Sequence, residues 1–180
     1  MLKHLFNLFS RSTSIPRSLY KNMSHKVFVY GTLKRNEPNH HWLTNPDNGV
    51  SKFIAAGTTK SKYPLIIATR YNIPFLLYSP GKGDNVHGEV YEVDDLMLSK
   101  LDILEDHPKY YIREEDDILV KLSNNLEIVK CWVYFLKTFR PELLLRPTIE
   151  NYSSLGSHGQ RYLERSKRDP TYNYKNEVRE

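Results

Sequence analysis

The sequence predicts an α+β fold in which many short strands form a barrel or a sandwich, flanked by short helices. Apolar residues make up 39% of the 180 residues, which is enough for a core, so wholesale disorder is excluded. Between residues 26 and 135, short apolar runs alternate with turn-forming residues at a spacing typical of a barrel or a sandwich. One segment, 94–108, departs from this pattern and has the period of a helix.

The predicted strands are short, and recognisable turns separate them. The first strand, 27–30, is apolar throughout and ends at Gly31. Pro-Asp-Asn-Gly at 46–49 and Pro-Gly-Lys-Gly-Asp at 80–84 are strong turn signals. The remaining predicted strands are 53–56, 65–69, 75–78, 86–93, 110–112, 118–122 and 128–135.

A helix is predicted after Asp94, whose carboxylate can accept hydrogen bonds from the first N–H groups. Three apolar residues then recur at i, i+4 and i+7, which is one face of a helix: Met97, Leu101 and Leu104. Pro108 stops the helix, so it ends within a turn of Glu105. A second short helix is predicted over 37–43, where Pro38 stands in the first turn.

The two ends of the chain differ from its body, which we assign to residues 25–165. Residues 1–24 contain Arg, Ser and a helical apolar stripe but no acid, a composition typical of a mitochondrial transit peptide. The alternative is a basic leader without a targeting role, and a start at Met23 would leave the product in the cytosol. Residues 166–180 are predicted to form a polar C-terminal tail that is either disordered or draped over the body.

The net charge of +5 does not indicate a nucleic-acid partner. The leader carries four of these charges, and the rest of the chain holds 22 basic and 21 acidic residues. A nucleic-acid binder concentrates basic residues on one face, and the body has no such excess. No apolar run approaches the roughly 20 residues that a membrane span requires, so membrane insertion is not expected. The oligomeric state is left open.

The residue types give little support for a metal site or for a catalytic nucleophile. Cys131 is the single cysteine, which excludes an internal disulfide, makes core packing its expected role and favours a reducing compartment. None of the seven histidines has the spacing of a zinc pair, and His40 and His41 point different ways on a helix. A Ser-His-Asp triad stays open on composition, but no Gly-x-Ser-x-Gly elbow exists.

Two segments could carry chemistry. Where the buried strand 27–30 runs into Gly31, the backbone can approach a ligand closely, and its N–H groups can hold an anion. On spacing alone, a strand that ends in an ordinary turn is favoured over a ligand-binding loop. Glu105 is predicted at the negative pole of a helix, and this position and any burial both disfavour its charged form. Both effects suit a general base, whereas the alternative is a solvated helix-end residue beside Asp102 and Asp106.

In their shared order, these segments and others resemble the γ-glutamylcyclotransferase-like family, and most closely its γ-glutamylamine cyclotransferase branch. The resemblance spans roughly residues 26–162. The stretches that carry it are Tyr30-Gly31-Thr32-Leu33-Lys34-Arg35, Pro38-Asn39-His40, Tyr63-Pro64-Leu65-Ile66-Ile67, Asn72-Ile73-Pro74-Phe75-Leu76-Leu77, Gly88-Glu89-Val90-Tyr91, Leu101-Asp102-x-x-Glu105, Tyr111-x-Arg113 and Ser157-His158-Gly159-x-Arg161-Tyr162. Asn36 stands where the branch often has Gly, and Asn tolerates the same left-handed backbone.

The resemblance implies a small mixed β-barrel with flanking short helices, no cofactor, no metal and a small-molecule γ-glutamyl substrate. It implies that Glu105 is the catalytic acid/base and that Glu89 has a structural role. The residues implied to bind the γ-glutamyl moiety, largely through backbone groups, are Tyr30, Gly31, Thr32 and Leu33, with Tyr111 beside them.

The implied reaction is intramolecular: the substrate's α-amine attacks its γ-carbonyl, giving 5-oxoproline and a free amine. The closer branch implies a γ-glutamylamine, such as the γ-glutamyl-ε-lysine isopeptide left by transglutaminase crosslinks. Three alternatives stay open. They are the sister activity on γ-glutamyl amino acids, a non-catalytic ligand-binding module on the same fold, and an interaction protein that uses the tyrosine-rich segment 152–174.

Overall fold

The computed structural model describes residues 23–123, 125–156 and 161–179, and five of the strands within them close into a barrel. The described strands are β1 (Met23–Val29), β2 (Ser51–Thr59), β3 (Leu65–Ile67), β4 (Pro74–Leu76), β5 (His87–Asp94), β6 (Ile112–Leu122) and β7 (Asn125–Phe135). The helices are α1 (His41–Thr44) and α2 (Asp95–Leu104), with 3₁₀ turns at Pro46–Asn48, Pro141–Leu145, Arg165–Lys167 and Tyr174–Glu177.

The barrel order is β1-β5-β2-β6-β7, and it confirms the mixed barrel over the sandwich. Four of its pairings are antiparallel. The closing pair, β1 with β7, is parallel and aligns Val27 with Trp132. The short antiparallel pair β3–β4 forms a separate two-stranded sheet.

One strand is longer than the sequence predicted. The predicted strand 118–122 is the end of a single longer strand, β6, which pairs with β7 from Ile112↔Phe135 to Leu122↔Asn125. The strand predicted at 110–112 was wrong for its first two residues, since β6 begins only at Ile112. The charged run 113–117 between the two predicted strands hid the longer strand, because it breaks the apolar alternation on which the prediction depended. Backbone pairing continues through this run whatever the side chains are, since the ladder uses only N–H and C=O groups.

The last three residues of β1, Val27–Val29, are all apolar because both faces of the strand are buried there. Val27 and Val29 belong to the hydrophobic cluster that contains α2, whereas Phe28 and Tyr30 belong to the cluster that contains Val90 and other barrel residues. Successive side chains of a strand point to opposite faces, so both faces require apolar residues here. Cys131 is buried in the second cluster, which confirms its packing role.

Helix α2 is confirmed with its predicted cap and its buried face. The Asp94 carboxylate accepts a hydrogen bond from the Met97 N–H at 2.8 Å. Met97, Leu98 and Leu101 are buried. Leu104, the last residue of the predicted stripe, is partly buried against the same cluster. The helix ends at Leu104, and Glu105 is its C-cap residue.

Removing this cap should weaken the protein measurably. We expect Asp94→Ala to lower the free energy of unfolding by about 1 kcal/mol, because the Met97 N–H loses its acceptor. Asp94→Asn keeps a side-chain oxygen at the same place and should retain most of the stability. Urea unfolding of the three proteins measures this. An equal loss in both variants would contradict the capping role.

The first helix is shorter than predicted. Helix α1 begins at His41, whereas the prediction began at residue 37. The preceding turn is set by Asn36, which has φ of 65°, and by the hydrogen bond from the Asn39 N–H to the Thr32 carbonyl at 2.9 Å. The left-handed conformation expected for Asn36 is therefore present, and it ends in a compact turn that delays the helix.

The C-terminal segment, residues 161–179, is draped over the body. Val178 is fully buried in the core cluster of α2, and its carbonyl accepts a hydrogen bond from the Arg140 N–H at 3.0 Å. The predicted leader, apart from its last two residues, lies outside the described residues, as do 157–160 of the late Ser-His-Gly motif. The strand β1 begins at Met23. Within the described part of the chain, no helix is long and apolar enough to cross a membrane.

Candidate active site

A cavity of about 740 Å³ lies where strand β1 ends and helix α2 ends. All the residues predicted for the site line it, although they come from two distant parts of the sequence: Tyr30, Gly31, Thr32 and Leu33 from one, and Glu105 and Tyr111 from the other. Its size is that of a small-molecule site. The roles of these residues stay predictions, and the structure brings them into one place.

The loop 30–33 follows β1 directly, and two contacts fix its path. The Tyr30 hydroxyl donates a hydrogen bond to the Tyr134 carbonyl at 2.7 Å. Gly31 passes so close to Pro74 that a Cβ there would lie 2.8 Å from the Pro74 Cγ. A larger residue at Gly31 would therefore push the loop away from β4.

The hydrogen bonds that hold this loop leave two backbone donors unused. The carbonyls of Gly31 and Thr32 accept from the N–H groups of Lys34, at 3.2 Å, and Asn39, at 2.9 Å. Among the described residues, the N–H groups of Thr32 and Leu33 make none of these backbone bonds. Both residues line the cavity, so these N–H groups are placed to bind an anionic or carbonyl oxygen of a ligand.

Lys34 anchors the loop from behind. Its ammonium donates to the Tyr152 carbonyl at 2.7 Å and to the side chain of Asn151. Burial lowers the pKa of Lys34, while the neighbouring carboxylates of Glu37 and Glu89 oppose that shift. The buried ammonium thus ties the loop to the segment that follows residue 150.

Glu89 supports the same loop and does not line the cavity. Its carboxylate accepts from the Arg35 N–H at 2.9 Å, from the Arg35 Nε at 3.0 Å and from the Tyr91 hydroxyl at 2.8 Å. Burial by itself would raise the pKa of the Glu89 carboxyl, but these hydrogen bonds lower it overall. Its contacts fit the structural role predicted for it.

Glu105 also lines the cavity, at the end of α2, which positions it. As the C-cap residue it donates its N–H to the Leu101 carbonyl at 2.9 Å, and its side chain is half-buried. Burial raises the pKa of Tyr30 and Tyr111 well above the usual value, and the negative charge of Glu105 raises both further. The carboxylate therefore lies near both phenols, which stay protonated at neutral pH.

A hydrogen bond and an ion pair of Asp102, which lies on α2, connect this helix to the barrel. The Tyr134 hydroxyl donates to Asp102 Oδ1 at 2.7 Å, and Arg113 Nη1 lies 3.4 Å from Asp102 Oδ2. Burial and then Asp102 raise the pKa of Tyr134, so it remains a donor. Because the Tyr134 carbonyl also accepts from Tyr30, these contacts connect the loop with the helix that carries Glu105.

The sequence analysis missed the outer wall of the cavity, which the C-terminal segment forms. Asp106 lies next to Glu105 and pairs with Lys175 at 2.8 Å. The missed lining residues of this segment are Tyr162, Glu164, Ser166, Arg168, Tyr174 and Lys175. Only its tyrosine and arginine content set it apart in the sequence, and such composition does not indicate where a segment folds back.

The arrangement is suited to proton transfer on a bound small molecule. A half-buried carboxylate and a loop with available N–H donors line the same cavity. The described residues contain no cluster of three or more His, Cys, Asp or Glu side chains that could hold a metal ion. A carboxylate can take a proton from one nitrogen and return it to another, which is general acid–base catalysis.

Comparison with known proteins gives a consistent result. The family model described as gamma-glutamyl cyclotransferase, AIG2-like, matches residues 27–154. The chain is 53% identical over 130 residues to a Drosophila melanogaster protein named putative gamma-glutamylcyclotransferase, covering 72% of this chain and 81% of that one. It is 45% identical over 150 residues to the gamma-glutamylaminecyclotransferase of Mus musculus, covering 81% of this chain and all of that one.

A solved structure agrees with the sequence comparisons. The crystal structure of an AIG2-like protein from Mus musculus matches with a TM-score of 0.76 and 45% identity. The match covers 81% of this chain and 100% of that one. The similarity therefore extends over most of the fold that positions the cavity.

Proposed function

Since the chain belongs to the gamma-glutamyl cyclotransferase, AIG2-like family, we propose that it converts γ-glutamylamines, such as γ-glutamyl-ε-lysine, into 5-oxoproline and a free amine. The observation that carries this proposal is the shared cavity of Glu105 and the loop 30–33. The enzyme would act as a cofactor-independent lyase or transferase, and γ-glutamyl-ε-lysine would reach it from the degradation of crosslinked proteins.

The substrate supplies its own nucleophile. Its α-amine, once deprotonated, attacks the γ-carbonyl carbon and forms the new C–N bond of the lactam. The amide C–N bond then breaks, and the leaving nitrogen takes up a proton to depart as an amine. Glu105 accepts the first proton from the α-ammonium and delivers it to the leaving nitrogen, so the carboxylate is regenerated in each turnover. The attacking nitrogen loses its second proton as the lactam forms, and the released amine takes up one proton from water to become an ammonium ion.

The protein's main contribution is to hold the flexible glutamyl chain curled. Well-oriented intramolecular attack can account for about 7–11 kcal/mol of the barrier. The N–H groups of Thr32 and Leu33 would hold the α-carboxylate or the developing oxyanion, and Tyr111 would close the inner end of the cavity. A positioned acid/base such as Glu105 adds about 10²–10⁴-fold in rate.

The amine branch is favoured by the relatives and by the cavity. The Mus musculus relative is named for γ-glutamylamines and matches over its whole length, whereas the Drosophila melanogaster relative carries the name of the sister activity. The cavity of about 740 Å³ is lined by Trp42, Arg168 and Tyr174 as well as by Glu105, and this volume leaves room for a long leaving amine.

The direct test compares two substrates on the purified full-length chain. 5-Oxoproline is followed by mass spectrometry with γ-glutamyl-ε-lysine and, separately, with γ-glutamyl-alanine. We expect turnover of the isopeptide and little or none of the dipeptide. Turnover of the dipeptide alone would move the protein to the sister activity. The absence of 5-oxoproline from both, with a folded protein, would contradict the enzyme and favour a ligand-binding module.

We also propose a compartment for each start site, on the composition of residues 1–24. Chains that begin at Met1 would carry a transit peptide to mitochondria, and chains that begin at Met23 would stay in the cytosol. The second product would still contain β1, which begins at Met23.

A further inference from the structure

We propose that Arg168 determines specificity by binding a carboxylate on the leaving amine, at the outer end of the cavity. This inference rests on the function proposed above and adds a chemical requirement to the leaving group. Arg168 belongs to the C-terminal segment 161–179, which lies beyond the residues 27–154 that the family model matches. It therefore concerns a part of the site that this match does not describe.

The C-terminal segment reaches the site from two sides. On the side of the loop, the Asn39 amide donates to Thr32 Oγ1 at 2.9 Å and to the Tyr162 hydroxyl at 3.1 Å. On the side of the helix, Lys175 Nζ donates to Asp106 Oδ2 at 2.8 Å, directly beside Glu105. The segment thus crosses the cavity from the predicted glutamyl-binding loop to the predicted acid/base.

Arg168 is held between these two attachments by aromatic rings. Its guanidinium carbon lies 5.3 Å from the ring centroid of Tyr162, 5.1 Å from that of Tyr174 and 5.4 Å from that of Tyr71. Its Nε donates to the Leu163 carbonyl at 2.9 Å. Stacking on rings attracts the cation and fixes the plane of the guanidinium.

Within the described part of the chain, the terminal nitrogens of Arg168 are available to donate hydrogen bonds to a ligand. Among the described residues, the side-chain hydrogen bond of Arg168 uses only Nε, and no carboxylate forms an ion pair with it. Arg168 lines the cavity and is half-buried. A guanidinium fork suits a carboxylate because it can donate two parallel hydrogen bonds. Lys175 is a poorer candidate, since its ammonium is already paired with Asp106.

The path from Glu105 to Arg168 suits a long apolar amine with a charged end. Apolar side chains line the same cavity, among them Trp42, Ile73 and Leu104, and these can pack against methylene groups. In γ-glutamyl-ε-lysine the carboxylate is separated from the scissile nitrogen by the whole lysine side chain. In a γ-glutamyl α-amino acid it stands one carbon away, beside Glu105. Arg168 at the outer end therefore favours the first geometry.

The experiment uses two substrates that differ only in this carboxylate. γ-Glutamyl-6-aminohexanoate presents the carboxylate at the end of a five-carbon chain, and γ-glutamyl-n-pentylamine has the same chain without it. In the full-length protein, Arg168→Gln should lower kcat/KM for the aminohexanoate substrate by about 10- to 100-fold, the loss typical of a charge-assisted hydrogen bond. For the pentylamine substrate kcat/KM should change by less than about twofold.

Two further variants separate recognition from structure. Lys167→Gln removes a cation from the adjacent position, which is exposed and does not line the cavity. It should leave kcat/KM unchanged for both substrates. Arg168→Lys keeps a cation among the rings but loses the fork, so its loss for the aminohexanoate substrate should be intermediate. Thermal unfolding of each variant checks that the segment stays packed.

The remaining outcomes overturn the inference. An equal loss for both substrates in Arg168→Gln would mean that Arg168 only packs the wall, and no loss for either would mean that it does not bind the leaving group. Wild-type protein that turns over the pentylamine substrate without preferring the aminohexanoate one would contradict this inference and leave the proposed function standing. If the wild-type protein forms no 5-oxoproline from either substrate, the proposed function is overturned as well.

Discussion

Glu105→Gln should remove nearly all formation of 5-oxoproline and lower kcat for γ-glutamyl-ε-lysine by about 10²–10⁴-fold. The amide of Gln fills the same space and can still hydrogen-bond, but it cannot accept a proton from the α-ammonium or return one to the leaving nitrogen. Substrate binding should change little, because the loop 30–33 and the aromatic walls of the cavity are untouched. The loss should therefore fall on kcat rather than on KM.

The measurement is steady-state release of 5-oxoproline by the full-length chain, with Glu127→Gln as the matched control. Glu127 lies exposed on β7 and does not line the cavity, so the same substitution there should leave kcat unchanged. A Glu105→Gln enzyme with wild-type kcat would show that another group carries the proton. A large increase in KM with unchanged kcat would instead assign Glu105 to substrate binding.

Leu101→Ala should lower the free energy of unfolding by about 2–5 kcal/mol, the range for truncating a fully buried leucine. Leu101 lies on the buried face of α2 and is completely buried, and its carbonyl accepts the Glu105 N–H at 2.9 Å. The cavity left by the missing side chain would loosen the helix end, so kcat should fall as well. This residue therefore couples the packing of the core to the position of the predicted acid/base.

Urea unfolding measures the effect on stability, and Ile103→Ala on the same helix is the control. Ile103 is 68% exposed, so its truncation should change the free energy of unfolding by less than about 0.5 kcal/mol. Comparable losses in the two variants would mean that the burial of Leu101 is not the cause of its loss, because alanine is the best helix former and costs nothing in helix propensity. An unchanged stability in Leu101→Ala would contradict the packing described here.

Local sequence patterns were sufficient to predict the elements that are stabilised by neighbouring residues in the sequence. Asp94 caps α2 because a carboxylate at that position meets the first N–H groups wherever the helix lies. Asn36 adopts a left-handed conformation for reasons within its own residue. Strand β1 was predictable because its uninterrupted apolar run requires burial on both faces. The order of motifs along the chain was sufficient for the resemblance to a family.

Other features depended on contacts between distant residues. The charged composition of residues 113–117 in β6 predicts a loop, and only the pairing with β7 makes this run a strand. Tyr134 carries no signal in its own segment, yet it connects Tyr30 to Asp102. The polar composition of residues 166–180 predicts a tail that is either disordered or draped over the body, and only aromatic stacking and the burial of Val178 show that the described part of it is draped. Such contacts form only when separate segments come together in the tertiary structure. Local sequence periodicity does not predict which segments will come together.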